Sequence, residues 1–287
     1  MPRAIRPTAS STAALDRGSR ILWRTLGRPI DLAGAHAWLE APMHSQSRVA
    51  DGWVEDAAHR LGGVADRSGT GGLLADLSAL DGPGFSASSV DPVIRRFYEE
   101  TSGWRMEAWA QWNPLLQPGG EFVSRAFGTR VQQLAIPTRP LDVARGMDST
   151  VVRILDNTGR QRSAAWLRTL RGSGDYVYSG CYSVRSLPGS DRPSVHVAFP
   201  LESGNVQVFL RPRALPDGGL ELHSPPGSFG QDGAYVVVRE RGTHASRAPI
   251  HETFRVYVDD ERVLRTDHVL KFGRVTAVRL HYKLTPQ

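Results

Sequence analysis

The sequence predicts an α+β fold in which N-terminal helices pack on a C-terminal antiparallel β-barrel or strongly bent sheet, calycin-like by analogy. Two observations predict it. From Val151 to Leu284, short runs alternate apolar and polar residues, as in Ser194–Phe199 and Asn205–Leu210 on either side of the turn residues Glu202-Ser203-Gly204. About ten such runs follow one another with no helical crossover between them, which points to a meander that closes or bends. Upstream, the apolar residues recur at helical spacing instead.

Taken in order, residues 1–19 read as a flexible basic tail, polar and without a periodic apolar face. Residues 20–134 read as a helical region docking on the sheet, with short helical pieces at Ile21–Leu26, Ala33–Leu39, Trp53–Leu61 and Leu73–Leu80. Pieces so short gain stability only by packing on something larger. Asp91-Pro92 opens a longer helix, because Asp caps free amides and Pro suits the first helical position. It is expected to run to about Trp112, with Phe97, Thr101, Trp104, Ala108 and Trp112 on one face. Another helix is expected over 121–134, and Ile136–Pro140 reads as an extended linker. Residues 135–287 form the barrel-like domain, with strands expected near 151–155, 163–170, 176–185, 194–200, 205–211, 220–223, 234–239, 252–258, 263–272 and 275–284.

Composition excludes several classes. No apolar run approaches the ~20 residues a helical membrane span requires, so a soluble cytoplasmic protein without a membrane span is expected. The net charge is +6, but the 35 basic residues, all arginine except Lys271 and Lys283, form no stripe and face 29 acidic residues. Nucleic acid is therefore not the expected partner. One cysteine, Cys181, rules out an internal disulfide and a cysteine-based zinc site.

The runs Phe97-Tyr98-Glu99-Glu100-Thr101-Ser102, Arg130-Val131-Gln132-Gln133-Leu134, Pro140–Met147 and Leu280-His281-Tyr282-Lys283 resemble a family of uncharacterised bacterial proteins over roughly residues 90–284. The resemblance implies no activity.

Familiar chemical signatures fail on inspection. Gly69-Thr70-Gly71-Gly72 lacks both the Lys-Ser/Thr of a phosphate-binding loop and a preceding strand, and His251-Glu252 has Arg255 where a zincin needs its second histidine. No G-x-S-x-G elbow presents a serine, and Cys181 reads as strand packing. No cofactor and no metal are expected.

Register supplies the candidate site. A Gly273-Arg274 hairpin pairs Phe272 with Val275, Leu270 with Ala277, His268 with Arg279 and Thr266 with His281. The preceding hairpin pairs Val258 with Leu264, Val256 with Thr266, Phe254 with His268 and Glu252 with Leu270. On that count Glu252, His268, Arg279 and His281 converge on an otherwise apolar face, with His268 and Glu252 as candidate acid and base and Arg279 and His281 as ligand-binding groups. Asp142 and Arg145, in the stretch entering the sheet, are further candidates for lining a barrel mouth. The expected function is a small-molecule-binding β-barrel taking a largely apolar ligand with one polar group, with cofactor-independent isomerase, cyclase or lyase chemistry as its catalytic form. The alternative is a non-catalytic interaction or scaffold protein that uses its helical region and the aromatic helix carrying Trp104, Trp109 and Trp112.

Overall fold

The computed structural model describes residues 20–44, 50–113, 146–172 and 174–287. The basic tail, the 121–134 helix, the Ile136–Pro140 linker, Asp142 and Arg145 lie outside the described residues.

Among the described residues fourteen strands form one antiparallel sheet: β1 (Arg28–Pro29), β2 (Val64–Asp66), β3 (Trp104–Trp112), β4 (Met147–Leu155), β5 (Gln161–Leu170), β6 (Tyr176–Ser186), β7 (Pro193–Leu201), β8 (Gly204–Ala214), β9 (Leu220–His223), β10 (Gly233–Arg239), β11 (Thr243–Ala248), β12 (Ile250–Val258), β13 (Leu264–Phe272) and β14 (Val275–Pro286). Its main path runs β2-β4-β5-β6-β7-β8-β9-β12-β13-β14-β3. The path branches at β8, whose first half pairs with β10 and whose second half pairs with β9; β10 carries β11, and β11 carries β1. Among the described residues the end strands β2 and β3 do not pair with each other, so the sheet these residues form is strongly bent and not a closed barrel.

The bend is deep. Leu264 of β13 and Leu284 of β14 share one buried core with Val151 of β4 and Trp166 of β5, strands from the other end of the path. Into the same concavity the chain inserts Leu73, Leu77, Leu80 and the helix Pro92–Glu99, which buries Ile94, Phe97 and Tyr98. Asp91 caps that helix by accepting from the Val93 amide at 2.8 Å, with Pro92 at the first position.

This helix stops at Glu99, and the residues expected to extend it form strand β3. Edge pairing decides the matter: β3 lies along β14 from Trp104↔Pro286 to Trp112↔Val278, and its backbone bonds outweigh a helical spacing of tryptophans. Trp104 is buried against Phe97, whereas Trp109 is 52% exposed. The three tryptophans therefore do not share one face.

Of the shorter pieces, residues 20–26 and Trp53–Arg60 are helical, while Ala33–Leu39 and Leu73–Leu80 contain only the 3-10 turns Ala37–Leu39 and Leu77–Leu80. Trp53, Val54, Ala57 and Ala58 cover the convex face over Val152, Ile154, Ala165 and Leu167. Strands β1, β2, β3 and β11 have no counterpart among the runs read as strands from the sequence.

Candidate functional site

The β12–β13 hairpin has the expected register throughout: Val258↔Leu264, Val256↔Thr266, Phe254↔His268 and Glu252↔Leu270. The β13–β14 hairpin starts as expected at Phe272↔Val275, with Gly273 at a φ of 56°. A β-bulge between Leu270 and Lys271 then shifts the pairing by one residue. Leu270 stands opposite Val278, His268 opposite Leu280 and Thr266 opposite Tyr282, while Arg279 faces Val269 and His281 faces Asp267. A one-residue slip reverses every side chain. Arg279 is exposed on the outer face, and His281 there bonds Asp267 at 2.7 Å beside Trp109. The structure thus brings Glu252 and His268 together on the concave face and removes Arg279 and His281 from them.

What converges with Glu252 and His268 is an aromatic and cationic set from distant strands. His268 Nε2 lies 3.1 Å from Glu252 Oε2, and its ring stacks on Phe254 with centroids 3.8 Å apart. Its Nδ1 is buried with no hydrogen-bond partner among the described residues. Tyr282 lies 6.5 Å beyond the same imidazole. From β5, the Arg168 guanidinium sits over Trp166 at 3.9 Å, 5.0 Å from the Tyr178 ring and 5.9 Å from that of Tyr282. Tyr178 and Tyr182 share a 2.6 Å hydroxyl hydrogen bond.

Arg168 is 8% exposed, and no carboxylate pairs with it among the described residues; its Nε has no acceptor. Glu252, the nearby acid, is engaged with His268. Burial raises the Tyr178 and Tyr182 hydroxyls above the usual tyrosine range, and it raises Tyr282 to about 12, with Arg168 opposing and Glu252 reinforcing the shift. The three phenols therefore stay neutral around a permanent cation. A cavity of about 620 Å³ between β3, β4 and the end of β14 opens onto Arg168 and is lined also by Arg105, Ser149, Arg171 and Thr285.

Residues on β5 and β6 carry half of this site, and pairwise counting within two hairpins could not reach them. One signal was available: Ala164, Trp166 and Arg168 fall on one face by period two, so an arginine occupies an inward position.

A second buried polar network, on the convex side, resembles catalytic geometry. Ser183 Oγ donates to His196 Nδ1 at 2.9 Å, and His196 Nε2 donates to Gln207 Oε1 at 2.9 Å. Burial depresses the His196 pKa to about 3, which makes the imidazole too weak a base to activate a serine. Gln207 instead donates to Leu39 O at 2.7 Å, and Asn205 Nδ2 donates to Ala41 O and Pro42 O. The network fastens residues 39–42 to the sheet. Cys181 beside it is buried, and its thiol is raised to about 11, which leaves it an unreactive packing residue.

No family model matches the chain, and no solved structure matches it. The chain is 26% identical over 216 residues to the uncharacterized membrane protein YndJ of Bacillus subtilis (strain 168), across 75% of this chain and 38% of that protein. It thus spans well under half the length of the curated relative it matches. That relative is itself uncharacterized, so the resemblance to an uncharacterised bacterial family stands and brings no activity. It corrects the cytoplasmic expectation: a relative named as a membrane protein removes the inference from missing apolar helices to the cytoplasm. Among the described residues no helix is long and apolar enough to cross a membrane. Nor does the relative's name support the small-molecule, isomerase or lyase description drawn from the sequence.

Proposed function

We propose that the concave face binds an amphiphilic small molecule whose anionic group sits at Arg168 and whose apolar part lies along Trp166, Phe254 and the facing tyrosines. The observation that carries this reading is the buried guanidinium with no carboxylate partner among the described residues. Burying a charge costs several kcal/mol unless a partner compensates, and the aromatic faces around Arg168 compensate only in part. A carboxylate or phosphate arriving with a ligand supplies the missing charge-assisted hydrogen bonds. The neutral hydroxyls of Tyr178 and Tyr282 add donors, and the His268–Glu252 pair offers a proton acceptor or donor to a second polar group. The cavity of about 620 Å³ that opens onto Arg168 provides the way in, and the aromatics behind it belong to the packed core.

The test is titration with cis-parinaric acid, a fluorescent long-chain carboxylate, read by energy transfer from the tryptophans. Saturable binding is expected, weakened about ten-fold or more in Arg168→Gln. The corresponding fatty alcohol should bind the parent more weakly than the acid and bind both proteins alike. Absence of saturable binding, or equal affinity of a folded Arg168→Gln for the acid, rejects the proposal.

A further inference from the structure

A separate cavity of about 970 Å³ lies at the β4–β5 turn, between residues 37–42, the end of the Trp53–Arg60 helix and the loop at 73–79. Four arginines, Arg60, Arg160, Arg162 and Arg185, line it against two carboxylates, Glu40 and Asp76. The carboxylates do not neutralise the four. Asp76 caps the Leu77–Leu80 turn, accepting from the Ser78 amide at 2.7 Å, and the cation acting on it is Arg95, which does not line the cavity. Glu40 lies near Arg185, whose Nη2 donates to the Glu40 backbone oxygen at 3.1 Å, not to its carboxylate. The Arg185 Nε is buried with no acceptor among the described residues. The guanidiniums of Arg60, Arg160 and Arg162 make no ion pair among the described residues.

Mutual repulsion separates such a set unless something holds it. Here rigid elements do: Arg185 stands at the end of β6, Arg160 and Arg162 flank the start of β5, and Arg60 closes the helix. The network from His196 through Gln207 and Asn205 pins residues 39–42, the cavity's opposite wall. Guanidiniums presented from three fixed elements around one hollow match a multiply charged oxyanion, since each can give paired N–H bonds to phosphate oxygens.

We propose that this cavity binds a phosphate-bearing anion carrying at least two negative charges, with Arg185 at its floor and Arg160 and Arg162 at its rim. The site is independent of the concave one, so either can fail alone.

The experiment is isothermal titration of the full chain with inorganic pyrophosphate, alongside sedimentation with vesicles of phosphatidylcholine containing phosphatidic acid. Two double variants are compared, Arg160→Gln with Arg162→Gln and, as a charge-matched control away from the cavity, Lys271→Gln with Arg274→Gln. All four positions are exposed, so both proteins should fold as the parent does, which circular dichroism checks. The proposal expects saturable binding that falls about ten-fold or more in the first double variant and stays unchanged in the control. Pyrophosphate binding with no vesicle capture identifies a free phosphoanion, and vesicle capture lost in the first variant identifies a lipid headgroup. No saturable binding in either arm, or equal loss in both variants, overturns it.

Discussion

His268 and Arg279 lie on opposite faces of one hairpin, because a single bulged residue beside Leu270 shifts β14 against β13. His268 keeps its place opposite Phe254 on the concave face, and Tyr282 occupies the row that His281 would otherwise fill. The bulge thus replaces a second imidazole by a phenol in the site and leaves Arg168 as its cation.

Replacing that cation should separate binding from stability. Arg168→Gln keeps the aromatic packing roughly intact while removing a buried charge that has no carboxylate partner among the described residues, so the unliganded protein is expected to hold or gain up to about 1 kcal/mol. Urea unfolding with and without cis-parinaric acid checks this. A variant destabilised by several kcal/mol in the absence of ligand would make Arg168 a structural element.

Acid should weaken the fold through His196. Its folded pKa, depressed to about 3, lies below the unfolded value near 6.5, so the unfolded chain binds the proton first. Stability from this group is complete above pH 6.5 and declines as pH falls toward 3, at about 1.4 kcal/mol per pH unit. Unfolding free energies from denaturant curves should be flat from about pH 7.5 to 6.5 and show that slope from about pH 6 to 4, and His196→Gln should flatten it while costing stability at pH 7.5. An unchanged slope in the variant would assign the acid sensitivity elsewhere.

Trp53 fastens its helix to the convex face. It is fully buried, and its Nε1 donates at 2.9 Å to Ser179 Oγ, which donates in turn to Ala50 O at 2.6 Å. Trp53→Ala should cost about 3–5 kcal/mol, and Trp53→Phe less, since most of the packing survives. Thermal unfolding of both variants tests the order.

Gly72 closes the glycine run that lacks phosphate-binding character, and it has a different purpose. A Cβ there would lie 2.1 Å from Tyr98 O and 2.5 Å from Glu99 O, and the Gly72 carbonyl accepts from Gln161 Nε2 at 3.0 Å. Gly72→Ala should therefore destabilise by about 2 kcal/mol or more, whereas Gly69→Ala meets no neighbour and should cost less, through its φ of 75° alone. Equal effects in chemical denaturation would show that loop packing does not depend on the close approach.

Local periodicity by itself determined the antiparallel meander, the Asp91-Pro92 helix start and the whole register of the β12–β13 hairpin, because each rests on neighbours in sequence and on burial of one face. It misjudged Trp104–Trp112, where helical spacing of aromatics competes with pairing to a strand more than 160 residues away. Only the tertiary structure decided the bulge beside Leu270, the open rather than closed sheet, and the meeting of Arg168 with Tyr282. A bulge depends on twist and on the next strand's packing, and the Arg168–Tyr282 contact forms across the concavity between strands that are far apart in the sheet. Alternation along a strand names the face a residue occupies, and the curvature of the whole sheet selects which residues of that face meet.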